Sequence, residues 1–130
     1  MIVRHTELTE DVLGFDATNI NKPFVLEKKV NVYYAKGEIK GYFNIPKKFR
    51  SDGVTIKNKI LQYLICCPHD PKFVASAIIH DYLVDTKITD RQTASEIFKE
   101  VLIQHGVNQL RAQIMFLTVE FWQKYIRGWK

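Results

Sequence analysis

The chain has 130 residues, 46% of them hydrophobic and 25% charged, which excludes a disordered or low-complexity protein and leaves room for one substantial core rather than two. Its net charge is +5, and its two cysteines are too few for a disulfide framework. No apolar run reaches membrane-spanning length, and Met1–Glu7 lacks the apolar core of a signal peptide, so the expectation is a soluble cytosolic protein unless a larger particle carries it.

Taken in order, residues 1–22 read as a short strand near Ile2–Arg4 followed by an irregular N-terminal arm, because Asp11, Gly14, Asp16, Asn19 and Asn21 break any period. Residues 23–46 read as a β-hairpin. Phe24, Leu26, Val30, Val32 and Tyr34 alternate with polar residues, Lys28 being the one dissonant inward position. Ala35-Lys36-Gly37-Glu38 supplies a turn, Ile39, Gly41, Phe43 and Ile45 alternate again, and Pro46 closes the strand. Residues 49–55 form a polar loop with an Asp52-Gly53 turn signal.

Helical patterns fill residues 57–129. A short helix is expected from Lys57 to Cys66, stopped by Pro68. From about Lys72 to Val84 the chain is apolar on every side of a helical wheel, the mark of a rod through the middle of a domain. Thr89 to Gln92 has capping-box spacing; Ala94, Ile97, Phe98, Val101 and Leu102 form the next stripe, and Gly106 is the expected stop. The last helix presents Val107, Leu110, Ile114, Leu117, Phe121 and Tyr125 as a stripe widened by Trp122, Ile126 and Trp129. Most of it is expected in the core, its aromatic end meeting a partner. The fold expected is a single α+β domain: a small antiparallel hairpin or sheet packed on a bundle of about four helices.

The polar chemistry gathers on the apolar rod, where His80 and Asp81 stand together. Burying them unpaired costs several kcal/mol, on the order of 3–5 for a lone charge, so partners are required. Adjacent residues point about 100° apart on a helix and cannot chelate one ion together. The loop at Asp52 and Thr55 is the expected partner. A carboxylate on an imidazole nitrogen raises its pKa and fixes its tautomer, so His80, Asp81 and Asp52 could serve acid–base catalysis. The same contact would equally be a clasp pinning loop to helix, and that reading carries more weight. Neither Cys66-Cys67-Pro68-His69-Asp70 nor His5, His69 and His105 has the spacing of a metal site, and the sequence identifies no metal or cofactor. Basic residues concentrate between Lys36 and Lys59, with Lys47, Lys48 and Arg50 as candidate anion-binding side chains; lysines that discourage strand aggregation are the commoner explanation.

Phe49-x-x-Asp52-x-x-Thr55, then His80-Asp81-Tyr82-Leu83, then Arg91-x-x-Ala94-x-x-Ile97-Phe98, then Gly106-Val107 and a final helix, resembles a phage and prophage family catalogued as domain of unknown function one-three-five-three. The resemblance covers about residues 24 to 122. It implies a phage origin and a recurring polar set, here Asp52, Thr55, His80, Asp81 and Arg91, with no activity attached. Ser51, Val54, Thr55, Lys57 and Val84 depart from its pattern, and Ser95 stands where the family has an aspartate, with Glu96 beside it.

The favoured reading is a phage-encoded, non-catalytic virion or tail-associated structural or assembly component, acting on other phage proteins in the host cytoplasm or virion. One alternative is a small metal-dependent or acid–base hydrolase acting on cell wall or another phage target. The other is an accessory protein binding nucleic acid or a host protein. No membrane partner is expected, and a homo-oligomer is compatible with the sequence.

Overall fold

In the computed structural model, which describes residues 1–18, 22–51 and 71–130, the chain is an α+β protein with two small antiparallel sheets and three helices among the described residues. It divides into two compact units, Met1–Gly53 and Val54–Lys130, one of strands and one of helices. Three helices stand where about four were expected; the helix expected at 57–66 lies outside the described residues.

The first sheet has the order β1-β4-β5, from Ile2–His5, Val30–Lys36 and Ile39–Ile45. The expected hairpin is β4–β5, closed by Gly37-Glu38 with Lys36 opposite Ile39. Gly37 has φ +60°, and Glu38 is not left-handed, so glycine occupies the first position of the tight turn, where a side chain would be strained. Val30 faces Ile45 and Val32 faces Phe43 on the buried side. Tyr34 lies opposite Gly41, where an added Cβ would collide with the ring's Cζ. Gly41 thus makes room for the Tyr34 ring, which leans on Phe43 with centroids 6.3 Å apart.

The second sheet, β2-β3-β6, comes from Leu13–Phe15, Phe24–Leu26 and Arg50–Ser51. It corrects two expectations. The run from Phe24 to Tyr34 is two strands in different sheets, parted at Glu27-Lys28-Lys29, and the stretch read as an irregular arm after the expected strand at β1 contributes β2. Hydrogen bonds of 2.7 Å from Glu27 N–H to the Val12 carbonyl and 2.8 Å from Lys48 N–H to the Leu26 carbonyl hold the parting. Lys28 ceases to be dissonant there, because it turns outward and donates to Asp11 at 2.9 Å.

In the helical unit, α1 spans Pro71–Thr86, α2 Arg91–Gln104 and α3 Gln109–Phe121. Phe73 to His80 are buried without a break, as expected of an apolar rod, and Ser76 satisfies its hydroxyl on the Phe73 carbonyl at 2.8 Å. The N-cap of α2 is Asp90 rather than Thr89: its carboxylate accepts from the Thr93 N–H at 3.1 Å and from the Thr93 hydroxyl. At the other end Gly106, φ +95°, donates to the Ile103 carbonyl while Val107 donates to that of Leu102. That pair is a Schellman stop, with Val107 packing into the same core as Leu102. Asn108 then caps α3 by accepting from Arg111 N–H at 2.8 Å.

The core face of α3 is Ala112, Met115 and Val119, packed with Phe73, Ala77, Phe98 and Leu102. Of the stripe expected in the core, Val107 and Trp129 are buried, but its middle faces outward instead. Leu110, Ile114, Leu117, Phe121 and Tyr125 are exposed, Leu110 at 73% and Leu117 at 56%. Both faces of the helix are apolar, and the one with smaller or unbranched residues lets α2 approach more closely. Trp122–Ile126 follows as one π-helical turn, ending near Gly128 at φ +71°. No helix among the described residues is long and apolar enough to cross a membrane.

Candidate functional site

His80 sits deep on α1, 6% exposed, its ring tilted against Phe98 of α2 with centroids 5.2 Å apart. Its Nε2 has no hydrogen-bond partner among the described residues. Burial in apolar surroundings lowers its pKa to about 4, so the imidazole is neutral at physiological pH. The carboxylate expected to raise it, that of Asp52, lies outside the described residues. A general base must reach the proton it takes, and this ring is covered.

Asp81, next on the helix, is half-buried. Asp52 and Thr55, expected to complete the cluster, lie outside the described residues. No group of three or more His, Cys, Asp or Glu side chains placed to hold a metal ion occurs among the described residues.

Arg91, at the first position of α2, is part of a different cluster. Its Nε donates to both carboxylate oxygens of Glu120 on α3 at 3.2 Å, and Nη1 donates to the Trp129 carbonyl at 3.1 Å. The Ser95 hydroxyl donates to Glu120 Oε1 at 2.5 Å. With the two charged side chains only 17% and 18% exposed, this is a partly buried network that joins the start of α2, the end of α3 and the C-terminal turn. Arg91 therefore ties these three segments together. Sequence reasoning missed Glu120, Ser95 and Trp129 as its partners; the available signal was that Glu120 is the lone acid of α3.

The basic candidates of the strand unit lie elsewhere. Lys48 and Arg50 border a cleft of about 380 Å³ lined by Gly14, Phe15, Asp16, Val25, Glu27, Lys48 and Arg50. Their charges are answered locally. Arg50 pairs with Asp16 at 3.2 Å and donates to the Lys22 carbonyl, and Lys48 lies 3.7 Å from Glu27. Asp16 is held below the usual carboxylate range, chiefly by the Thr18 hydroxyl and backbone N–H and less by Arg50. Lys47 is exposed on the turn after β5.

These features define a small α+β protein with a buried histidine and an ion-paired arginine in its helical unit. A family model described as "Protein of unknown function (DUF1353)" matches residues 25–119, most of the chain, and the chain belongs to that family. No match appears among curated proteins or among solved structures.

Proposed function

We propose that this chain is a phage-encoded, non-catalytic structural or assembly component, associated with the virion or tail, that works by attaching to other phage proteins. The observation that carries this reading is the outer face of α3. Leu110, Ile114, Leu117 and Phe121 follow one another at intervals of four, three and four residues, the spacing of a helix-packing seam. Tyr125 and Ile126 extend it, and Phe121 and Tyr125 stack with centroids 5.1 Å apart. Together they expose on the order of 600 Å² of apolar surface, as much as the largest patch of a typical monomer, and such patches mark attachment sites.

The hydrolase alternative needs His80, Asp81 and Asp52 to reach a substrate, and the burial of His80 weighs against it. Quantitative mass spectrometry of purified particles tests the proposal. Fixed stoichiometry with known virion proteins is expected; absence from particles and from their assembly intermediates would overturn it.

A further inference from the structure

The first sheet turns one side inward through Val3, Val30, Val32, Phe43 and Ile45, so the intervening residues form an outer face. Register places Arg4 opposite Tyr33, and Tyr33 opposite Tyr42, so one row across all three strands reads arginine, tyrosine, tyrosine. Neighbouring strands are about 4.8 Å apart, which puts the ends of this row about 10 Å from each other. Tyr33 is 36% and Tyr42 62% exposed, unusual for rings with this much apolar area. Lys40 and Asn44 flank Tyr42 on the same side of β5, and both are exposed. No residue of β1, β4 or β5 on this face is acidic.

Three basic side chains elsewhere in the strand unit, Lys28, Lys48 and Arg50, each lie beside a carboxylate, of Asp11, Glu27 and Asp16. Arg4 and Lys40 form no ion pair among the described residues. Their positive charge is uncompensated and is directed at whatever lies over the two tyrosines.

We infer that the outer face of β1-β4-β5 is a binding platform for single-stranded nucleic acid: Tyr33 and Tyr42 stack on unpaired bases, while Arg4 and Lys40 meet the phosphates beside them. Flat aromatic rings suit any base because every base has a π-face, and cations flanking them track the backbone. A duplex hides its base faces and would engage the cations alone. The platform is distinct from the attachment face of α3 and does not depend on it.

Fluorescence anisotropy of the full-length protein with labelled oligothymidylate, oligouridylate and a duplex of equal length tests this. The single strands are expected to bind at low salt and the duplex more weakly. Tyr33→Ala and Tyr42→Ala are each expected to weaken binding about tenfold or more, whereas Tyr33→Phe and Tyr42→Phe keep the ring and retain it. Arg4→Gln and Lys40→Gln are each expected to flatten the dependence of affinity on salt by about one phosphate contact. Comparing the thymidylate and uridylate arms identifies whether DNA or RNA is preferred. Four results would overturn the inference: no binding of either single strand at low salt; equal binding of duplex; unchanged binding in a folded Tyr33→Ala/Tyr42→Ala protein; or loss of binding in the phenylalanine variants. A shift in oligomeric state on tyrosine substitution without change in oligonucleotide affinity, or displacement by a neutral glycan, would assign the face to another occupant and equally sink it.

Discussion

Arg91 and Glu120, twenty-nine residues apart in sequence, lock the start of α2 to the end of α3, one nitrogen of the guanidinium shared between both carboxylate oxygens at 3.2 Å. The same arginine reaches the Trp129 carbonyl, so removing it frees the C-terminal turn as well as a charge. Arg91→Ala or Glu120→Ala is expected to cost about 2–3 kcal/mol in urea unfolding, because each leaves a partly buried charge uncompensated. The paired change Arg91→Ala/Glu120→Ala is expected to cost less than the two single changes summed. Additive losses in the cycle would show that the pair does not interact.

His80 makes stability depend on pH. Its folded pKa of about 4 lies below the value of 6.5 for a free imidazole. Above pH 6.5 neither state binds the proton, and the burial is unpenalised. As pH falls from 6.5 towards 4, the unfolded chain takes up a proton that the native one refuses, and stability declines by up to about 3 kcal/mol. Below that the native imidazole also protonates and the loss levels off. His80→Leu is expected to remove this component, so urea midpoints for the variant should fall less between pH 7 and pH 4.5 than those of the wild type. Parallel curves would place the titration elsewhere.

Gly41 has a steric task. In Gly41→Ala the new Cβ meets the Tyr34 ring, which must swing away and give up its contact with Phe43. A loss of about 1 kcal/mol is expected, and Gly41→Ala combined with Tyr34→Ser should cost no more than Tyr34→Ser alone. Independent effects would mean the ring does not need the glycine.

The two faces of α3 should respond oppositely. Met115 is fully buried in the core cluster, and Met115→Ala is expected to cost about 2–4 kcal/mol. Leu117→Lys, two residues on and facing solvent, should change stability by no more than about 0.5 kcal/mol. The solubility of the free protein should rise with it, since an apolar stripe is interrupted. A large loss of stability in Leu117→Lys would return that side chain to the core.

Sequence made some of this legible and hid the rest for physical reasons. The rod from Phe73 to His80, the turn at Gly37 and the stop at Gly106 were readable because each rests on local chemistry: continuous apolarity, a left-handed glycine, a helix end. The second sheet was not. Strands of two or three residues, such as Arg50–Ser51 and Leu13–Phe15, are too short to show a period of two. Alternation from Phe24 to Tyr34 runs through Lys28 in the sequence, whereas the backbone bends there and restarts in another sheet. On α3 the pattern offered two apolar faces and could not say which one α2 would take. The Arg91–Glu120 clasp was invisible because it is a long-range pairing; the family resemblance singled out Arg91 without its partner. His80 was found as buried and polar, but its neutral state follows from surroundings that only the packed helices provide.

Under the proposed phage role, complementation of a phage deleted for this gene tests most directly whether the protein acts by attachment rather than by chemistry at His80. The two variants to compare are His80→Leu, which fills the same buried space, and Leu110→Glu/Leu117→Glu, which charges the outer face of α3; circular dichroism establishes that both are folded. Plaques at near wild-type yield with His80→Leu, and a loss of at least tenfold with the charged face, are the expected results. Loss of plaques with folded His80→Leu, together with normal yield from the charged face, would contradict it.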